Sequence, residues 1–328
     1  MNFIKKIRLK QHIIRAIFKG YVYDAQRFYK YCTETELSEY QKERLVGYII
    51  TKYHIIEKGL TMPEMRPGFG TEALRALISA CEIYKQKFSK ESCQVLHGIE
   101  VLNEYLEVHK EKKINLDQDI TSRIKKLKQN TNIGYELKNQ IQRNKEKYFS
   151  VINAPFPDFA RSRHSMRNFS ESDIIIEDLK KAIKLAQDTT PTSCNRQSVR
   201  VHVVTDKEKI NQVLSIQTGN RGFGHFANKL ILVSSEISVY NEVRERNLPY
   251  IDGGIYAMNL LYALHFYEIG ACALNWSAPN EADKKLHKIL DIPDSEAICL
   301  IIICGEPAAE FSLAVSKRFD IDSVIKFH

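Results

Sequence analysis

The sequence predicts a chain in two parts: an all-helical domain over residues 1–152, and a domain of alternating helices and strands over residues 153–328. Three observations predict this. From Glu34 to Phe149 apolar residues recur at three- and four-residue spacing, and strand-like alternation is nearly absent. After Ala160, short apolar strands alternate with amphipathic helices. Between the two, Asn153-Ala154-Pro155-Phe156-Pro157-Asp158 sets two prolines two residues apart, which predicts an extended passage and a domain boundary.

With 328 residues and 44% hydrophobic content, the chain can bury two cores. Its longest apolar run, Ala297–Cys304, is far short of the roughly 20 residues a spanning helix needs, and reads as a buried strand. The net charge of +8 is uneven: residues 1–150 hold 28 Lys and Arg against 18 Asp and Glu, and the remainder 20 against 22. The lysines between Glu111 and Lys147 alternate with apolar and acidic residues and lack interleaved aromatics, which indicates a solvated helical face, not a nucleic-acid site. Seven scattered cysteines without a C-x-x-C pair predict neither a disulfide framework nor a zinc site, and fit a reducing cytosol. The histidines show no metal-binding spacing, so no metal is expected.

The first thirty residues hold eight Lys or Arg and one acid. On a helical projection Phe3, Ile4, Ile7, Ile14 and Phe18 gather on one face, with Lys5, Arg8, Arg15 and Lys19 opposite. Such a helix either packs its apolar stripe on the rest of the protein, the commoner outcome, or lies through residues 1–20 on an anionic membrane or acidic partner. Turn signals follow at Met62-Pro63, at Arg66-Pro67-Gly68-Phe69-Gly70 and at Asn132-Ile133-Gly134. In Tyr53–Gly59, His54 and Glu57 stand at i,i+3 spacing suited to a proton relay, although a plain helix end accounts for the same residues.

In the second half, Ser172 or Asp173 is expected to cap a helix over Ile174–Gln187. A loop at Pro191–Gln197 leads to a strand at Ser198–Thr205, and a helix follows at Lys207–Ile216. The glycine-rich Gly219–Gly224 feeds a strand at Leu230–Ser234. It has neither the dinucleotide nor the Walker pattern. A long helix at Ile251–Tyr267, a strand at Ala271–Trp276, a helix at Glu281–Leu290 and a strand at Ala297–Cys304 complete the reading.

The stretch that organises these elements is Arg163-His164-Ser165-Met166-Arg167-Asn168-Phe169. In an extended backbone Arg163, Ser165 and Arg167 point one way, a row suited to one flat anionic ligand. This run resembles the R-(R/H)-S-x-(R/K)-x-F start of the FMN-dependent nitroreductase family. Pro191-Thr192-Ser193-Cys194-Asn195-Arg196-Gln197 is similar to that family's P-S-x-x-N-x-Q segment, Asp252–Leu261 to its long central helix, and Gly270-Ala271-Cys272 to the turn after it. The resemblance covers about half the chain, and the helical extension resembles one carried by family members linked to polysaccharide biosynthesis.

The resemblance implies an α+β fold with a three-layer α/β/α core and a mixed, mainly antiparallel sheet. It implies an FMN-dependent oxidoreductase, homodimeric and cytoplasmic, with NAD(P)H as cosubstrate in a ping-pong cycle and a small-molecule electron acceptor. Arg163 is implied at the phosphate with Arg318 as its partner, His164 and Ser165 at the ribityl chain and ring edge, and Arg167 at the pyrimidine side. Pro191, Thr192, Ser193 and Asn195 would reach the flavin of the other subunit, Asn220 and Arg221 the N1/O2 side, and Asn275 and Trp276 the ring near N5. Trp276 and Phe223 are implied substrate contacts; no catalytic acid or base is required beyond the flavin. The chain departs from the pattern at Ser198-Val199, where many relatives have P-W, and at Ser316, where a Lys is common. Other readings of the resemblance are a flavin enzyme without nicotinamide, or a dimeric scaffold that binds a membrane or partner through its basic N-terminus.

Overall fold

A computed structural model describes residues 3–32, 36–89, 92–129, 131 and 140–328. The turn expected at Asn132-Ile133-Gly134 lies outside them. The chain divides into two compact units, one made of residues 1–26 and 143–311, the other of 27–142 and 312–328. A single helix, α1 (Phe3–Cys32), begins the chain.

The helical unit contains α2 (Lys42–Leu60), α3 (Thr71–Lys87), α4 (Cys93–Glu111) and α5 (Gln118–Gln129). In α2 the residues Leu45, Ile49, Tyr53, Ile56 and Leu60 repeat at four, four, three and four, and all five are buried. They meet Leu74, Leu77 and Ile78 of α3 and Ile99 and Leu102 of α4; each such aliphatic burial is worth about 1.5–3 kcal/mol. The Ser92 hydroxyl caps α4 by accepting from the Gln94 amide. Inside this core, Glu57 accepts from His97 Nε2 at 2.8 Å, and His97 Nδ1 lies 3.4 Å from Glu100. Glu57, at i,i+3 spacing from His54 on α2, thus takes its partner from another helix.

The strand β1 (Gln140–Asn144) departs from the all-helical reading of the first half, and the short helices α6 (Lys145–Phe149) and α7 (Phe156–Ser162) follow it. The passage expected to be extended at Asn153–Asp158 is a turn running into α7. Pro155 is the N-cap and another proline falls in the first turn, where a missing N–H leaves no helical bond unmade.

Next come α8 (Ile176–Thr189), β2 (Val199–Val204), α9 (Lys207–Ile216), β3 (Lys229–Glu236), α10 (Leu248–Phe266), β4 (Gly270–Asn275), α11 (Asn280–Leu290), β5 (Glu296–Gly305) and β6 (Glu310–Ala314). The cap of α8 is Ile175, not Ser172 or Asp173; the Asp173 carboxylate accepts from the Ile174 amide and pairs with Lys229. The acids Glu177 and Asp178 occupy the first turn, where the helix dipole favours them.

Strands β2-β3-β5-β4 form one sheet in that order, and β1 pairs with β6. The three pairings of the larger sheet are all antiparallel, so the mainly antiparallel sheet expected is wholly so among the described strands. Its central strands β3 and β5 are buried on both faces, which explains their near-continuous apolar sequence. Ile231, Val233 and Ile302 pack under Leu179 and Ala182 of α8 and Leu260 and Leu264 of α10. On the other side α9 packs on β3 and α11 on α9, completing three layers of an α+β fold. Gly253 brings α10 close to the sheet: a Cβ there would lie 2.3 Å from Cys299 Sγ.

The expected packing of the α1 apolar stripe is not seen. Ile7, Ile14 and Phe18 are all exposed, while Ile17 and Tyr21 line a groove against the α/β core. Contact is set by the anchoring of α1 through Asp24, whose carboxylate takes two N–H bonds from Arg246, at 2.9 and 3.0 Å. That ion pair fixes which side of the helix faces inward.

Candidate functional site

The segment Arg163–Phe169 runs extended along the end of the sheet. Its Met166 amide donates to the Ala271 carbonyl at 2.9 Å, Phe169 bridges to Pro307, and the Ser170 amide donates to Glu306 O. Gly270 opens room for it, since a Cβ there would lie 2.6 Å from Met166 Sδ. Met166 and Phe169 are buried, whereas Arg163, Ser165 and Arg167 are half-buried, as are His164 and Asn168, so burial does not strictly alternate along the segment.

At one end of the row, Arg163 lines a small cavity of about 10 Å³ with Tyr148, His164 and His265. The Tyr148 hydroxyl accepts from the His164 amide at 2.9 Å. The Ser162 hydroxyl donates to Phe159 O, so its oxygen accepts from His265 Nε2 at 2.7 Å, which fixes the proton on that nitrogen. Burial, and then the Arg163 guanidinium and the neighbouring His164, push His265 down to about 4. A neutral imidazole beside Arg163 leaves that guanidinium's charge available to an anion.

At the other end, Arg167 holds its guanidinium carbon 5.6 Å from the centre of the Phe223 ring, and its Nη1 reaches Ser165 O at 3.4 Å. Its Nε is buried and has no hydrogen-bond partner. Phe223 itself is buried, so it meets Arg167 from inside the fold. The loop that carries it is organised by Gln217, whose Nε2 donates to Asn275 O at 3.0 Å and whose Oε1 accepts from the Gly219 amide at 2.7 Å. The Asn220 side-chain amide is committed to Leu214 O and Gln217 O. Arg167, the Asn220–Phe223 turn and the end of β4 at Asn275 thus converge, with Arg221 exposed on the rim.

The remaining sequence-predicted residues lie elsewhere. Trp276 donates its Nε1–H to Asp283 at 2.6 Å, which turns the indole toward α11. In the Pro191–Asn195 loop, Ser193 gives both its amide and its hydroxyl to Asp252 of α10, with Oγ at 2.8 Å from Oδ1. Asp252 also accepts from Ser198 and from the Tyr240 hydroxyl, and Arg196 forks onto Glu245. That fork, with two backbone amides, holds the Glu245 carboxyl down at about 2. Arg318 belongs to the helical unit, where its charge bears on the Tyr53 phenol.

Sequence reading passed over Gln217, Asp252, Tyr148 and His265. Asp252 alone carried a signal: a single acid inside a helix that is apolar nearly all round must be buried and hydrogen-bonded.

The donor set fits FMN. Among the described residues no carboxylate pairs with Arg163 or Arg167, and the orphaned Arg167 Nε–H calls for an acceptor. Four residues of extended chain, about 13 Å, separate the two positions. The fit is to a ligand with an anion at one end and acceptors at the other.

Two segments, residues 160–220 and 211–306, match the model of the Nitroreductase family. Among solved structures, the chain is similar to an FMN-dependent nitroreductase of Clostridium difficile R20291, at 23% identity over 52% of this chain and 96% of that one, with a TM-score of 0.42. It is similar also to a nitroreductase family protein of Streptococcus pneumoniae TIGR4, at 19% identity over 53% and 100%, TM-score 0.47. A third is a protein of Desulfovibrio desulfuricans described as a nitroreductase in complex with FMN, at 18% identity over 53% and 96%, TM-score 0.44. Comparison with curated proteins finds no match.

Proposed function

We propose that the protein, whose residues 160–220 and 211–306 match the model of the Nitroreductase family, is an FMN-dependent oxidoreductase that draws electrons from NAD(P)H. The observation that carries this reading is the pair of guanidinium groups, Arg163 and Arg167, set along one extended segment without carboxylate partners, one of them with a buried unanswered N–H. FMN bound there would supply two-electron hydride chemistry between NAD(P)H and a second substrate, in a ping-pong cycle.

In this reading Arg163 binds the phosphate, and the neutral state of His265 keeps a second positive charge from straining that corner. His164 and Ser165 line the sugar chain. Arg167, braced on the Phe223 ring, donates to the pyrimidine edge, where negative charge gathers on reduction. Gln217 holds Asn275 and the Gly219–Asn220 turn at the far rim, with Trp276 beyond. No residue here is asked to move a proton.

We further propose a cytoplasmic homodimer in which the Pro191–Asn195 loop completes the partner's site. Within one chain that loop is fastened to Asp252, and among the described residues no hydrogen bond or ion pair joins it to Arg163 or Arg167. On α10, Ile251, Ile255, Met258 and Phe266 leave an exposed apolar stripe suited to a second copy.

The test is a visible spectrum of the purified protein, then anaerobic NADH and NADPH. A flavin spectrum that bleaches is expected; a colourless protein that takes up no FMN refutes the proposal. Arg163→Ala should weaken FMN binding by about 1.5–3 kcal/mol, the worth of a charge-assisted hydrogen bond, measured by flavin fluorescence quenching.

A further inference from the structure

The outer face of α1 has no role in the reading above, and its chemistry is specific. The helix is about 45 Å long at 1.5 Å per residue. Residues 5–15 are exposed on every side. Ile7, Ile14 and Phe18, spaced seven and four apart, form one stripe, with Ile14 64% and Phe18 70% exposed. Six exposed cations, Lys5, Lys6, Arg8, Lys10, Arg15 and Lys19, surround it, and among the described residues none is paired with a carboxylate. The one acid of this helix, Asp24, is engaged by Arg246.

We propose that α1 docks the protein on an anionic lipid surface, with Ile7, Ile14 and Phe18 among the acyl chains and the lysines and arginines at the headgroups. Three features favour this occupant. An apolar stripe flanked by long cationic side chains suits the bilayer boundary, where those side chains keep their charge in the headgroup layer. A second α1 laid on the first would oppose six cations to six. The Arg246–Asp24 pair, together with Ile17 and Tyr21 along the groove of about 430 Å³ beside Ile237, Pro249 and Tyr250, holds the helix from one side and leaves the stripe outward. This inference stands independently of flavin binding, and no helix of the described residues is long and apolar enough to cross a membrane.

The experiment is sedimentation of the full chain with vesicles of phosphatidylcholine, with and without phosphatidylglycerol, at low and high salt, alongside Ile14→Gln/Phe18→Gln and Arg8→Gln/Arg15→Gln. Binding is expected only to the anionic vesicles, and salt should weaken it. It should fall about fivefold for each cation removed and by about tenfold or more in the apolar double variant. Both variants change exposed side chains, so melting temperature and flavin content should match the parent. Absence of binding to anionic vesicles at low salt, or binding undiminished in Ile14→Gln/Phe18→Gln, overturns the proposal. It is overturned equally if the parent ignores vesicles while that variant breaks up an oligomer seen by light scattering, since the stripe then seats a second copy.

Discussion

Replacing Asp252 by Asn should release the Pro191–Gln197 loop while leaving the fold in place. Three non-glycine residues of this loop, Cys194, Asn195 and Gln197, sit at φ of 53°, 53° and 49°. Left-handed backbone costs about 1–2 kcal/mol per residue, less for Asn, so the loop stores about 3–5 kcal/mol of conformational cost. Against it stand the two bonds from Ser193 to the buried carboxylate, about 1.5–3 kcal/mol each, and the Arg196–Glu245 fork. An Asn side chain has one acceptor oxygen, and its amide hydrogens face the Ser193 N–H. About two charge-assisted bonds become one neutral bond, a loss of about 3 kcal/mol, comparable to the stored cost. Hydrogen exchange should therefore speed up at residues 192–198 by about a hundredfold, with amides of β3 and β5 unchanged, and FMN affinity should fall if the loop serves the partner's site. Exchange in the loop equal to the parent's would refute the reasoning, because it would mean that the left-handed residues need no carboxylate to hold them.

Gln217→Leu should cost about 2–4 kcal/mol in the urea midpoint analysis, because Asn275 O and the Gly219 amide lose a buried partner; it should also weaken flavin binding. His265 sits at about 4 when folded and near 6.5 when unfolded, so its neutral form supports the fold above about pH 6.5. That support is lost as pH falls toward 4, up to about 3 kcal/mol, and unfolding titrations of His265→Gln should lack this slope. For His97 the sign reverses. Burial pushes it down, but the carboxylates of Glu100 and Glu57 outweigh burial and raise it. Its contribution is therefore full below about pH 6.5 and lost as pH rises through the folded value, so His97→Gln should flatten the alkaline side of the melting curve of the helical unit.

The elements legible in the sequence were those with a period. Helix α9 falls at Lys207–Ile216 as read, and the strands of the sheet lie within about two residues of their expected ends, because their apolar runs end where burial ends. The extended course of Arg163–Phe169 was legible, although His164 and Asn168 are half-buried like Arg163, Ser165 and Arg167. What had no period stayed hidden. Gln217 is an ordinary polar residue in sequence and becomes the hub of a turn only when β4 brings Asn275 to it. The outward face of α1 depends on a pair between residues 24 and 246, and local amphipathicity carries no information about a contact that distant in the chain. The prolines at 155 and 157 suit an extended passage in sequence, but the first turn of a helix accepts them equally well.

The lacing of residues 163–170 onto Ala271, Glu306 and Pro307 has a consequence for biogenesis. The guanidinium row is synthesised about halfway along the chain, yet the surface it lies on is the closing edge of β4 and β5, more than a hundred residues later. A nascent chain still short of Pro307 has the motif but lacks the Glu306 and Pro307 contacts that fasten its far end. Closing a loop of that length is among the last events expected in folding. Cofactor loading must then wait for the finished polypeptide, and a ribosome-bound chain stalled before β5 should pull down no flavin.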